Sequence, residues 1–366
     1  MTEQLRRTPL YNRHVAAGAK MVPFAGWEMP VQYPAGITAE HKGVREGAGL
    51  FDVTHMGEFE VMGKDALAFV SWVTSNDPGV LEAGKGVQYS CFLHQNGGMV
   101  DDCLVYRFDN KFMLVVNASN TQKDWDHVLS QAHKFDVKLT NRSDDTALVA
   151  LQGPKAQATL QPLTKVPLDP ITYYNFTTGE VAGVPCIISR TGYTGEDGFE
   201  LYHDPDQAEK LWDAIVARPG VTLAGLGARD SLRLEVGYPL YGNDVDDTTS
   251  PLEGGLSWIV KLKKPDFLGR AALEAQKAKG LTRKLVGFTL TEKGFPRAHM
   301  PVLVDGKPSG DVRSGTVSPS LGTPIGTAYV PLSHAKPGSQ LAVDIRGRQV
   351  GAAVVALPFY TKGSRR

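Results

Sequence analysis

From about Arg283 the chain reads as six short apolar runs: Leu285–Leu290, Pro301–Val304, Gly315–Val317, Gly326–Val330, Gln340–Ile345 and Gln349–Val355. Asp-Gly, Pro-Ser and Arg-Gly-Arg turns punctuate them. Strands this short, at this regular spacing, bury their apolar faces only by curling into an antiparallel β-barrel or jelly roll. The connection Lys263–Lys284 carries a helix over Arg270–Ala278, so residues 281–366 form a C-terminal β-barrel domain.

The remaining chain is large enough for one or two more domains, because 366 residues with 42% hydrophobic content exceed what a single core usually holds. Lys plus Arg and Asp plus Glu number 39 each, and no basic run is long enough to follow a phosphate backbone. A nucleic-acid partner is therefore not expected. Neither is a membrane span or an export leader, since no run of about eighteen consecutive apolar residues and no basic-then-apolar start is present. A cytoplasmic location is the expectation. Cys91, Cys103 and Cys186 lie in strand-like runs without metal-ligand spacing, which reads as three buried free thiols and no metal site.

Toward the N-terminus, Thr8 to Ala17 reads as a short amphipathic helix. Met21–Pro30 is too stiff for a linker, too broken for a helix, and suited to an apolar lid. Thr38–Gly49 reads as a helix ended by Gly47 and Gly49, Phe51–Val61 as one strand, and Asp65–Val73 as a helix. His55 is expected to be a satisfied structural histidine. Val87–His94 and Cys103–Phe108 are rich in β-formers, and Asn96-Gly97-Gly98 between them marks a hairpin. Asp101 and Asp102 sit just past that turn. Strand side chains alternate, so one should point to a cleft or core and the other away. On these residues alone a solvated turn flank is the more ordinary reading of the two acids. Phe112–Asn117 is an apolar strand closed by a polar Asn117, which is either a structural clamp or a ligand contact. Thr121–His133 reads as a helix.

The block Thr191-Gly192-Tyr193-Thr194-Gly195-Glu196-Asp197-Gly198 allows tight turning and close backbone approach, with Glu200 in the resuming strand opposite Phe199 and Leu201. No Gly-Lys-Ser/Thr follows, so it is not a nucleotide loop. Ala228–Gly237 reads as a short helix carrying Arg229 and Arg233 on one face. Arginine near a helix start opposes the dipole and needs either an acid, with Glu196, Glu200 and Glu235 as candidates, or an anionic partner. Tyr238, Tyr241 and Trp258 add planar side chains suited to stacking or to core packing.

Together, Phe51–Met56, Asn96–Asp102, Thr191–Gly198, Gly227–Glu235 and the C-terminal Leu357-Pro358-Phe359-Tyr360 resemble the T protein of the glycine cleavage system, in order, from about Thr8 to Tyr360. The resemblance implies an α+β chain with the three-domain folate-binding aminomethyltransferase fold. Residues 1–280 would form two interleaved α/β subdomains, roughly 1–50 plus 140–280, and 51–139, followed by the barrel.

It further implies transfer of the methylene carbon from an aminomethyl group on the lipoyl arm of H protein to tetrahydrofolate, giving 5,10-methylenetetrahydrofolate, ammonia and dihydrolipoyl H protein. Asp101 matches the family's essential carboxylate, with Asp102 its outward-facing neighbour. Arg229 matches the functional arginine beside the cavity. Asn117 and Glu200 match pterin contacts, Tyr360 a tyrosine that closes the cavity, and Met56, Tyr89, Tyr238 and Trp258 wall positions. Tyr173 or Tyr174 would face the pterin, the sequence not deciding which. The folate half of a dimethylglycine- or sarcosine-oxidising protein is disfavoured because no flavin-binding glycine fingerprint is present. A folate-binding iron–sulfur assembly factor is disfavoured because Glu235–Gly242 lacks its cysteine. The basic tail Lys362–Arg366 reads as solvated, or able to steer an acidic partner.

Overall fold

The computed structural model describes residues 4–365. Its first sheet has six strands, in the order Phe176–Val181, Val184–Ser189, Gly198–His203, Ala147–Gln152, Ala48–Asp52 and Val221–Leu223. Its second has five, ordered Gly86–Leu93, Met99–Arg107, Phe112–Val116, Gly57–Met62 and Lys138–Asn141. The chain leaves the first sheet after Asp52, builds the second, and returns at Ala147.

The two sheets face each other. Phe51, Leu148, Ala150 and Tyr202 of the first pack against Val87, Tyr106, Met113 and Val115 of the second. Behind the first sheet lie helices Ala156–Leu160 and Ala208–Val216. Behind the second lie helices Ala66–Val73 and Thr121–Gln131, packed through Phe69, Val73 and Val128. Residues 283–355 close into a six-stranded antiparallel barrel with Phe288, Val302, Val343 and Val350 inside.

The expected strand Phe51–Val61 is broken into two, one in each sheet. The carboxylate of Asp52 accepts from the Thr54 amide at 2.9 Å, and the Met56 amide donates to the Val53 carbonyl, making a turn where continuous alternation suggested a strand. Gly49 lies in a strand rather than ending the helix, which spans Ile37–Glu46. Met21–Pro30 forms most of a two-stranded hairpin, Lys20–Phe24 with Trp27–Gln32, turning at Ala25 and Gly26, both at positive φ. The Asn96-Gly97-Gly98 hairpin forms as expected, with Gly97 at φ +85°. Gly98 is required there because a Cβ would meet the carbonyl oxygen of Asp247 in the segment crossing above it. Cys91, Cys103 and Cys186 are buried free thiols.

Candidate active site

Where the two facing sheets and the barrel meet there is a cavity of about 930 Å³. The second sheet contributes Tyr89, Asp102, Leu104 and Val115 to it, and Asn117 stands just past a strand end. The first contributes Glu200 and Tyr202, helix Leu226–Glu235 contributes Arg229, and the barrel contributes Lys284–Gly287 and Val355.

The adjacent aspartates occupy opposite faces of their strand, but in the reverse sense to the one expected. Asp102 lines the cavity with Leu104 on its face, whereas Asp101 is fully buried on the helix side, where Cys103 and Val105 enter the core behind the sheet. Asn117 ties the pair together. Its Nδ2 donates to Asp101 Oδ1 at 2.9 Å and to Asp102 Oδ1 at 3.0 Å, so only its amide oxygen is left to offer a ligand. Burial and the neighbouring Asp101 charge push the Asp102 carboxyl up to about 7, against a hydrogen bond from Tyr89.

Glu200 projects from strand Gly198–His203 to the cavity side, while Phe199 and Leu201 enter the opposite core. Its carboxylate accepts from the Thr191 hydroxyl. Burial raises its pKa, opposed by Thr191 and by the positive Arg229. The preceding glycines serve packing, since a Cβ on Gly192 would overlap the Gln152 side chain and Gly195 lies at φ +76° against Val236.

Arg229 resolves the choice left open by the sequence. Among the described residues it makes no ion pair, and its guanidinium lies over the Tyr193 ring at 4.8 Å. The acids offered to it are otherwise engaged or more distant: Glu196 and Glu235 bind Arg45 at 2.7 and 2.9 Å. Arg233, on the same helix, is the paired one, at 2.6 Å from Asp230 and 2.7 Å from Asp244.

Aromatic pairs complete the walls. Tyr89 stacks on Trp258 at 5.8 Å, and Tyr193 on Tyr238 at 5.8 Å. Tyr173 and Tyr174 both line the cavity, edge to face at 4.7 Å. Met56 is also on the wall. His55 lies outside it, with Nδ1 lacking a partner, and burial followed by the Arg229 charge pulls the imidazole down to about 4, so it is neutral.

Tyr360 does not close the cavity. Its ring covers the Arg45 guanidinium at 4.3 Å and its amide donates to the Glu235 carbonyl, capping a buried ion cluster instead. The part it was expected to play falls to the tail. Ser364 donates from its amide to Glu196 at 2.8 Å, anchoring the segment, and Arg365 lies on the cavity wall over the rings of Tyr173 and Tyr238. The tail is therefore held at Ser364 and Arg365 while Lys362 and Arg365 stay exposed to solvent, and Arg366 lies outside the described residues. Sequence reading also missed Tyr193 and Tyr202. Tyr202 was accessible by parity, two residues beyond Glu200 on the same strand face.

Residues 10–264 match the family model described as the GCVT N-terminal domain, and residues 283–361 match the glycine cleavage T-protein C-terminal barrel domain. A protein of Desulfitobacterium hafniense named aminomethyltransferase is 50% identical, over 99% of this chain and 100% of its own. Another of that name, from Chloroherpeton thalassium, is 51% identical over 98% and 99%. The crystal structure of the glycine cleavage system aminomethyltransferase T of Bartonella henselae superposes with a TM-score of 0.93, at 35% identity, over 99% of both chains. With both family models matched in order and full-length relatives at this identity, the chain belongs to the glycine cleavage T-protein family of aminomethyltransferases.

Proposed function

We propose that this chain takes the methylene carbon from an aminomethyl-lipoyl H protein and delivers it to tetrahydrofolate. Products would be 5,10-methylenetetrahydrofolate, ammonia and the dihydrolipoyl H protein. The observation that carries this reading is one cavity presenting two carboxylates, Asp102 and Glu200, together with Arg229, which makes no ion pair among the described residues.

The residues suit a reduced folate. A pterin edge rich in N–H donors needs acceptors, and Glu200 and the Asn117 oxygen are acceptors on the wall. The stacked pairs Tyr89–Trp258 and Tyr193–Tyr238 offer planar surfaces for flat rings. Arg229 and Arg365 offer positive charge to an acidic tail. Asp102 is the group for proton transfer, since a carboxyl titrating near neutrality can both accept and return a proton. The apolar walls exclude water, which otherwise competes for the transferred carbon.

Among the described residues, no group of three or more His, Cys, Asp or Glu is arranged to hold a metal. No helix there is long and apolar enough to cross a membrane. A cytoplasmic location is part of the proposal, and three unpaired thiols fit a reducing compartment. The test is to mix the protein with aminomethyl-loaded H protein and tetrahydrofolate and follow ammonia and 5,10-methylenetetrahydrofolate. Folate-dependent release of both supports the reading, and folate binding with no product from loaded H protein overturns it.

A further inference from the structure

Two polar residues of the cavity wall, Glu200 and Tyr202, are joined behind it by a row of hydroxyl groups that the proposed reaction does not use. The Thr191 hydroxyl donates to Glu200 Oε2, and its oxygen lies 2.9 Å from Ser189 Oγ. Ser189 Oγ is 3.0 Å from the Tyr106 hydroxyl, which is 2.9 Å from that of Tyr202. Strand geometry builds the row. Ser189 pairs with Glu200 across neighbouring strands, Tyr202 shares a strand face with Glu200, and Tyr106 meets Tyr202 edge to face from the second sheet. Ser189 and Tyr106 are fully buried and stand off the cavity wall.

Each hydroxyl has one proton to give. An ionised Glu200 takes that of Thr191, so Thr191 accepts from Ser189, Ser189 from Tyr106, and Tyr106 from Tyr202. No other arrangement makes all four bonds to the carboxylate form. Glu200 Oε1, which receives no donor among the described residues, is left to the cavity. We propose that Tyr106 and Ser189 are positioning residues which, through Thr191, hold Glu200 as an acceptor with Oε1 turned to a ligand N–H group. Burial favours the neutral carboxyl, whose O–H would meet an N–H-rich ring edge donor to donor. Hydroxyls aligned toward the carboxylate favour its charged form, each bond polarising the next. The inference rests on Glu200 being a ligand acceptor of the proposed reaction.

The other titratable groups about Glu200 do not take over this part. Arg229, on helix Leu226–Glu235, favours the charged carboxylate through space but gives it no hydrogen bond. Glu58, on strand Gly57–Met62, has no partner on either oxygen, and burial raises it well above the usual carboxyl range. Tyr106, Tyr174 and Tyr202 are raised by burial and stay neutral. Among the described residues, Thr191 alone gives the Glu200 carboxylate a hydrogen bond.

The test is a carboxyl-carbon NMR titration of the full chain labelled at glutamate, with the Glu200 signal assigned from Glu200→Gln, alongside tetrahydrofolate binding by fluorescence quenching. Thr191→Val removes the donor and should raise the Glu200 midpoint by about one unit, whereas Thr191→Ser keeps the hydroxyl and should leave it at its wild-type value. Ser189→Ala and Tyr106→Phe, which touch neither the carboxylate nor the cavity, should raise it by roughly a tenth to a third of that. Tetrahydrofolate affinity should fall in the same order, by about threefold or more in Thr191→Val. Ser189→Ala, the smaller change, decides if Tyr106→Phe does not fold. An unmoved midpoint in folded Thr191→Val or Ser189→Ala overturns the proposal, and so does a Thr191→Ser midpoint displaced as far as that of Thr191→Val. Because the titration needs neither folate nor H protein, it stands even if tetrahydrofolate does not bind, which would sink the reading of the site and not the hydroxyl row.

Discussion

The guanidinium of Arg229 rests on the ring of Tyr193 at 4.8 Å, without a carboxylate partner among the described residues, while Arg233 four residues on is paired with two aspartates. A cation kept on a cavity wall without an internal partner is available to a ligand. Burial lowers the Arg229 pKa, and the guanidinium nonetheless remains charged. Arg229→Met should therefore reduce kcat/KM at least tenfold. Stability should stay level or rise by up to about 1 kcal/mol, because no ion pair is lost. Steady-state kinetics with urea unfolding checks both halves, and a large loss of stability would show a structural role.

Asp102→Asn removes the proton acceptor while keeping the size of the side chain. Turnover should fall by roughly 10²–10⁴-fold, the usual range for losing a general acid or base. Tetrahydrofolate binding, followed by fluorescence quenching, should change less than threefold. With the carboxyl pushed up to about 7, wild-type activity in the base-dependent step should rise as pH increases through that value. Asp102→Asn should lack this limb.

Glu200→Gln tests the acceptor expected to face the pterin. The amide places an N–H group where two lone pairs stood, so a donor-rich ring meets one acceptor fewer. KM for tetrahydrofolate should rise about tenfold, with a smaller effect on kcat. The Thr191 hydroxyl can still donate to the amide oxygen, so the fold should be kept. Equal loss in kcat and kcat/KM would assign Glu200 to the chemistry instead.

The ion cluster capped by Tyr360 governs acid stability. Glu235 accepts from Arg45 at 2.9 Å, from His41 at 3.1 Å, and from Ser318 and Ser320 of the barrel. Burial alone would raise its pKa, but the bonds from His41 and the barrel serines hold the carboxyl down to about 2. A depressed carboxyl stabilises the fold above its unfolded pKa near 4.5, and that contribution is lost as pH falls toward 2. It is on the order of 3 kcal/mol. Glu235→Gln should cost roughly that much at pH 7 and far less near pH 2, measured by denaturant unfolding at both.

Much of the architecture was legible because it rests on local rules. Turn residues delimited the barrel strands, Asn96-Gly97-Gly98 set the hairpin, and strand parity placed Glu200 opposite Phe199 and Leu201. The same parity separated Asp101 from Asp102 without saying which faced the cavity. Neither face of Met99–Arg107 is clearly more apolar, since Asp101, Cys103 and Val105 alternate with Asp102, Leu104 and Tyr106, and both are buried by other layers. Only the packing of helix Thr121–Gln131 on one side and the first sheet on the other decides it. Arg365 rather than Tyr360 stands on the cavity wall for a similar reason. Ser364 finds Glu196, 168 positions away, a contact no local pattern announces. The Met21–Pro30 hairpin was obscured by Ala25, an alanine at positive φ where Asn or Gly is the usual signal.

The most direct measurement is single-turnover methylene transfer at pH 7.5, from loaded H protein to tetrahydrofolate, in the wild type, Asp102→Asn and Asp101→Asn. The account predicts product and ammonia from the wild type, loss of at least a hundredfold in Asp102→Asn, and a markedly smaller loss in folded Asp101→Asn. Near-normal transfer by Asp102→Asn, with Asp101→Asn folded and inactive, would contradict it and return the chemistry to the buried aspartate.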